Sequence, residues 1–331
     1  MTGDRPASPG TGRVGVLVMA HGTPAAPEEI ELFYTRIRRG RPPSAEQLAE
    51  LVHRYEAIGG TSPLAARTAA QVAGIAAALE RVDPGRFQVA YGAKHVDPSI
   101  ESAAATLAAT GVERVVGLVL APHRASLGSA EYLDRAAAAL AGSPGSPELV
   151  AVAQWYDAPG FADLLAERVL AALAALGVPG SERRAVVVFT AHSLPQRVVD
   201  EGDPYPEQLA ESAALVARAG ALDEAGVPWL VGWQSAGRTA EPWIGPDIAD
   251  VLRRLGSEGT DAVVVCPIGF VADHLEVLFD LDIEARGVAE ASGMLFARTT
   301  SLDDDPRFVE ILAGVVRRAA DRAADRAGEA G

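Results

Sequence analysis

The chain has 331 residues, 49% of them apolar, and a formal net charge of −15. That length supplies two domains with real cores, and an acidic balance without a basic stripe excludes a nucleic-acid partner. No run of about 18 apolar residues is present to span a bilayer, so stable membrane insertion is not expected; the lone cysteine, Cys266, excludes a disulfide and a four-cysteine cluster.

Residues 1–12 are rich in Gly, Pro, Ser and Thr, lack the apolar segment of a signal peptide, and read as a disordered tail. A cytoplasmic protein is expected. From residue 13, short apolar runs alternate with helical patterns. Strands are predicted at 14–20, 87–92, 114–121 and 148–153, then at 185–190, 228–232 and 261–266. Helices are predicted at 27–38, 44–57, 64–80, 99–110, 128–140, 160–176, 206–219, 246–256, 273–287 and 306–325. The strands are nearly continuous in Val and Leu, as strands buried on both faces are, and the alternation predicts an α/β fold with parallel sheets. The segment 141–147 (AGSPGSP) is linker-like. It divides the chain into lobes over 13–150 and 151–320, followed by a frayed tail over 321–331.

The two halves echo each other. Ala20-His21-Gly22-Thr23-Pro24 follows the first strand, and Ala191-His192-Ser193-Leu194-Pro195 follows the strand at 185–190. Leu118 to Pro122 (LVLAP) pairs with Val263 to Pro267 (VVVCP), and Tyr91-Gly92 with Val231-Gly232. Similar motifs in the same order argue for a duplication. A histidine at the carboxyl end of a strand stands where open α/β sheets bind ligands. Two such sites place His21 and His192 at one cleft, suited to a flat ligand or a metal between the halves.

His192 carries an imidazole whose ordinary pKa lies near neutrality, fit to exchange protons or bind a metal; a turn histidine bonded to backbone is the plainer reading. Glu276, Asp280 and Glu284 recur every four residues, about 6 Å apart along a helix axis. Like charges at that spacing cost about 0.2–0.5 kcal/mol per pair, and no Lys or Arg stands between Arg254 and Arg286 to offset them. The row is either a solvated acidic face or a carboxylate track for a divalent cation. Arg36, Arg38, Arg39, Arg41 and Arg54 cluster in an otherwise acidic protein, where arginine forks suit an acidic ligand. Lys94 is the sole lysine. No zinc-protease spacing, Walker loop or Gly-x-Gly-x-x-Gly turn appears.

Taken together these blocks resemble the ferrochelatases, in particular the soluble branch of Gram-positive bacteria that makes coproheme. The resemblance covers residues 14 to 315. It runs from Leu17 to Pro24 and Ile37 to Arg41, through Arg54 to Gly60 with Ser62-Pro63-Leu64, to Lys94-His95 and Leu120-Ala121-Pro122-His123. It continues through Ala191 to Pro195, Gly202-Asp203-Pro204-Tyr205, Gly232 to Ser235 and Pro242 to Asp247, and closes with Gly269 to Glu276.

The resemblance implies the chelatase fold, two similar Rossmann-like lobes with a porphyrin cleft between them, and insertion of Fe(II) into coproporphyrin III. It implies His192 and Glu276 as the catalytic pair, Asp280 and Glu284 as a metal-delivery line, and Arg38, Arg54, Ser62 and Tyr132 as holders of the propionates. Close relatives often carry tyrosine where His21 stands, so His21 is expected to ligate the product iron through a neutral nitrogen. No permanently bound cofactor is expected, because Fe(II) is a substrate and Cys266 alone cannot hold an iron–sulfur cluster. A monomer is expected, in transient contact at most with other heme-pathway enzymes. Three further readings share these residues: a protoporphyrin IX ferrochelatase, a chelatase for another metal or tetrapyrrole, and a non-enzymatic heme or porphyrin carrier. The absence of a marked apolar lip over residues 27–60 favours coproporphyrin III over protoporphyrin IX.

Overall fold

The computed structural model describes residues 12–237 and 239–330, so the tail expected over 1–12 lies, but for Gly12, outside the described residues. In chain order the first lobe comprises β1 (Val14–Ala20), α1 (Ile30–Ile37), α2 (Ala45–Ala57), α3 (Leu64–Val82), β2 (Phe87–Ala93), α4 (Ile100–Ala108), β3 (Arg114–Val119), α5 (Ser129–Ala141) and β4 (Glu148–Val152). Then come α6 (Phe161–Ala175), β5 (Ala185–His192), α7 (Gln196–Asp200), α8 (Tyr205–Ala219), β6 (Trp229–Gln234), α9 (Ile248–Ser257) and β7 (Ala262–Cys266). A π-helix (Val277–Ala285), α10 (Arg286–Ala291), β8 (Leu295–Arg298) and α11 (Pro306–Ala330) complete the chain.

The strands form two parallel four-stranded sheets of the same order, β2-β1-β3-β4 and β6-β5-β7-β8. The sequence echoes fall on equivalent strands: β1 and β5 lead to His21 and His192, β3 and β7 to Pro122 and Pro267. All residues of β1 and β7 are buried, which explains their unbroken apolar runs. Helix starts are marked by side-chain caps: Ser44 and Gln47 form a reciprocal capping box on α2, and Asp247 caps α9.

Three cores layer the molecule. Leu17, Met19, Ile100 and Leu107 fill the outer face of the first sheet, and Val188, Leu252, Val263 and Leu281 that of the second. Between them, Val16, Ile75, Phe189, Leu209, Phe308 and Val316 join both sheets, α3, α8 and α11 in one continuous core. A smaller cluster of Ile30, Tyr55, Leu275 and Phe279 fastens α1 and α2 to the second lobe.

The predicted organisation needs three corrections. The lobe boundary at 150 falls inside β4, an edge strand of the first sheet, so the crossing follows Val152. The frayed tail over 321–331 is, through Ala330, the end of α11; Ala320 and Ala323 are buried, and Arg86 and Arg317 tie Asp321 and Asp83 across α3 and α11. The helix predicted over 273–287 is a π-helix in its middle. Nine residues make only about two turns of either helix type, too few for the apolar period to separate them.

Gly269 links this scaffold to the cleft. Its N–H bonds the Thr190 carbonyl at 3.1 Å. A side-chain Cβ there would lie 2.9 Å from Ala191 Cα and nearer still to Ala191 Cβ. Gly269→Ala is therefore expected to push the loop off the end of β5 and cost about 1–3 kcal/mol, the usual range for overpacking. Thermal denaturation checks this; an unchanged Tm would show that the loop has slack.

Candidate active site

Five of the six histidines, His21, His95, His123, His192 and His274, line one cleft of about 1830 Å³ between the lobes. His21 follows β1, His95 follows β2, His123 follows β3, His192 ends β5, and His274 lies beyond β7. The carboxyl ends of both sheets thus supply the cleft, which exceeds the roughly 300–1,000 Å³ of ordinary small-molecule pockets.

Three of these imidazoles are fixed in the same way. His192 Nδ1–H donates to the Ser193 carbonyl at 2.6 Å, His21 Nδ1–H to Gly22 at 3.1 Å and His274 Nδ1–H to Ala272 at 2.9 Å. A carbonyl only accepts, so Nδ1 carries the hydrogen in each; Nε2 is left as the reactive nitrogen of His192 and His21, while that of His274 is turned to Glu276 as a donor. His192 Nε2 lies 3.7 Å from Glu276 Oε1, and His274 Nε2 lies 3.6 Å from Glu276 Oε2. Glu276 is thus held between two imidazoles.

Electrostatics sharpen these roles. Burial pushes the Glu276 carboxyl up, but His192, His274 and His21 together outweigh it and hold the group far below the carboxylate range. Burial pulls His274 down, yet its bond and charge contact with Glu276 win and raise it. His21 is accessible from the cleft but enclosed by protein; desolvation lowers its pKa, with Glu276 opposing. His21 is accordingly a neutral imidazole near pH 7 with a free Nε2 lone pair.

The scaffold behind the pair is polar and buried. Thr190 Oγ1 donates to Gln234 Oε1 at 2.9 Å, and Gln234 Nε2 donates to the Glu276 carbonyl at 3.2 Å. Gln234, with no exposed surface, thereby sets the start of the π-helix against β5. The Ser193 hydroxyl donates to the Ile244 carbonyl at 2.7 Å, and the Trp243 ring lies 6.2 Å from that of His192.

The acidic row is split by its surroundings. Glu276 faces the histidines, Glu284 is exposed at the mouth, and Asp280 is buried between them. Asp280 is paired with Arg54 Nη2 and accepts from Ser235 Oγ. Two residues predicted for different ligands are therefore bound to each other. Burial pushes the Asp280 carboxyl up to about 6, with Arg54 pulling the other way. The folded protein holds that proton to about pH 6 and the unfolded chain only to about 3.9, so Asp280's contribution to stability falls as pH rises between these values. Asp280→Asn should raise stability at pH 7, relative to its effect at pH 4, by about 2–3 kcal/mol. Melting curves at the two pH values test this; a pH-independent effect would contradict it.

Arg38 lines the cleft, its guanidinium 5.6 Å from the Tyr34 ring and its Nε on the Arg41 carbonyl. Arg36, Arg39 and Arg54 also line it; Arg41 does not. Ser62, just before α3, accepts from Leu64 N–H at 3.2 Å, which leaves its O–H to donate. Tyr132 is buried beneath Lys94, whose Nζ lies 5.0 Å from the ring and 2.8 Å from Glu131. The lip over residues 27–60 is less polar than the sequence suggests: Leu32 and Ile37 are exposed at the cleft mouth, flanked by the arginines. Sequence reasoning assigned no role to His274, His95, His123 or Gln234. The signal for His274 was its place two residues before Glu276. His123 has no comparable signal; it is buried, stacked 5.3 Å from Tyr156, and both ring nitrogens lack a hydrogen-bond partner among the described residues.

A two-lobed parallel α/β protein with histidines from both lobes at one cleft belongs to the chelatase fold. SirB from Bacillus subtilis with Fe3+ shares that fold at a TM-score of 0.55 and 13% identity, over 94% of this chain and 97% of that one. The sirohydrochlorin chelatase SirB from Bacillus subtilis subspecies spizizenii in complex with cobalt gives 0.56 and 14%, over 93% and 96%. Within this fold, the family model described as Ferrochelatase matches residues 13–320, and the chain belongs to the ferrochelatase family. The coproporphyrin III ferrochelatase of Geobacillus kaustophilus is 46% identical over 306 residues, covering 91% of this chain and 94% of that protein. That of Bacillus subtilis is 42% identical over 307 residues, covering 92% and 97%.

Proposed function

We propose that this protein inserts Fe(II) into coproporphyrin III to give coproheme, as a cytoplasmic step of heme biosynthesis. The observation that carries the reading is His192 Nε2 held 3.7 Å from the Glu276 carboxylate, with His21 offered from the other lobe. Insertion releases two pyrrole protons for each metal that enters. His192 receives the two protons in turn through Nε2, Glu276 stabilises the imidazolium formed each time, and the open cleft passes each proton to water before the next. A cleft built on two joined sheets can bind a bent macrocycle, with its nitrogen lone pairs exposed, better than a flat one.

The choice of a tetracarboxylate rests on the cleft's cations. Arg38 and Arg39 stand at its mouth beside Arg54, whereas Arg36, Lys94, Arg135 and Arg197 are paired with Asp97, Glu131, Glu101 and Glu241. Arg38 and Arg54 supply forks, and Ser62 a hydroxyl, to the propionates; Tyr132 supports them from beneath Lys94. Glu284 and Asp280 form the metal's approach to Glu276. Iron is a substrate in this reading and no resident cofactor is required: Cys266 is buried, and burial pushes its thiol up to about 12. One chain supplies every residue named, which supports action as a monomer.

Anaerobic Fe(II) with coproporphyrin III in excess over protein tests the reading by absorbance. Many turnovers are expected. A single stoichiometric conversion would favour a carrier, and no conversion would point to another metal or tetrapyrrole.

The same reading makes His21 the ligand to product iron, because its neutral Nε2 is a donor and its Nδ1 is fixed. The complex with ferric coproheme is expected to show a histidine-ligated spectrum that His21→Ala abolishes and added imidazole restores. An identical spectrum in wild type and variant would remove His21 from that role.

A further inference from the structure

We propose that Arg54 is a shared partner of two carboxylates, Asp280 and one carboxylate of the porphyrin, so that docking the porphyrin releases Asp280 to receive metal. The inference rests on the reading of the cleft as a coproporphyrin III site. Arg54 belongs to the first lobe and Asp280 to the second, and their pair bridges the cleft wall with side chains 23% and 7% exposed. The guanidinium lies 4.7 Å from the Phe279 ring, and Arg54 Nε is buried without a hydrogen-bond partner among the described residues. The fork is therefore only partly used where it stands, while Arg54 also lines the substrate cavity.

A planar guanidinium aligns its paired N–H donors on one carboxylate at a time. While it rests on Asp280 it neutralises that carboxylate and places a positive charge where a divalent cation would have to come. Moving to a propionate exchanges one carboxylate partner for another. Asp280 is then left with lone pairs free of the guanidinium, still oriented by Ser235, on the helix that carries Glu276 and Glu284. Porphyrin binding would thus prepare the metal path before metal arrives. Since the coupling is reciprocal, metal at Asp280 would also favour porphyrin.

The test is a double-mutant cycle on coproporphyrin III affinity without metal, read by porphyrin fluorescence. Asp280→Asn frees Arg54 and should tighten binding by roughly tenfold, the size of a charge-assisted hydrogen bond. In an Arg54→Ala background the same change should have no effect. Phe279→Leu, which leaves every charge in place, should tighten binding by about two- to threefold by loosening the docked guanidinium.

Metal is read separately. With inert copper coproporphyrin III bound, Zn(II) should bind wild type several-fold more tightly than without it, and Arg54→Ala should lose that difference. An unchanged affinity in Asp280→Asn, an equal gain in the Arg54→Ala background, or Zn(II) binding indifferent to the porphyrin would overturn the inference alone. Failure of the wild type to bind coproporphyrin III would overturn the functional reading, and this inference with it.

Discussion

His192→Ala is expected to lower kcat for iron insertion by about 10²–10⁴-fold, the range of a positioned general base, while coproporphyrin III affinity changes little. The imidazole is the one group at the end of β5 whose lone pair is fixed toward Glu276: Nδ1 is tied to the Ser193 carbonyl, and the Trp243 ring lies alongside. Alanine leaves the backbone of Ala191 and Ser193 in the sheet, so the cleft's shape persists. Steady-state insertion combined with porphyrin binding separates these effects. A variant that retains kcat within a few-fold would move proton transfer to another residue.

Glu276→Gln is expected to have the next largest effect, a loss of about 10²-fold or more in kcat, because an amide cannot stabilise imidazolium at His192. It should also change how stability depends on pH. His274 binds its proton more tightly in the folded protein than in the unfolded chain because Glu276 is its partner. A raised imidazole pKa contributes stability that is complete below about pH 6.5 and is lost as pH rises through the folded value. Glu276, held low, contributes stability above the ordinary glutamate value and loses it only in strong acid. The Tm gap between wild type and Glu276→Gln should therefore be widest near pH 5–6 and narrow as the solution becomes alkaline. A gap that widens with rising pH would contradict the pairing.

The strands were legible because burial on both faces leaves an unbroken apolar run, as in β1 and β7. β8 was not: it has four residues, one of them Arg298, whose guanidinium is held by Asp273 and Asp282. The return of α11 to the first lobe was hidden for a different reason. Its apolar stripe states that one face is covered but not by which sheet, and α3 provides the answer only in three dimensions.

The site shows the same division. His192 and Glu276 stood out by their position at a strand end and at the head of an acidic row. The row's division did not, since Asp280 differs from Glu284 through a partner 226 positions away. His274 looked like a neighbour of Glu276 in sequence, and only the turn beyond β7 brings its Nε2 to the second carboxylate oxygen. Ser62 stood out only through the resemblance; the structure adds its contact with the Leu64 N–H at the start of α3.

The most direct test of the account is kcat/KM for coproporphyrin III and protoporphyrin IX, measured side by side under anaerobic Fe(II). A cleft whose mouth presents Arg38, Arg39 and Arg54 should favour the tetracarboxylate. Equal values, or a preference for protoporphyrin IX, would contradict that assignment of substrate.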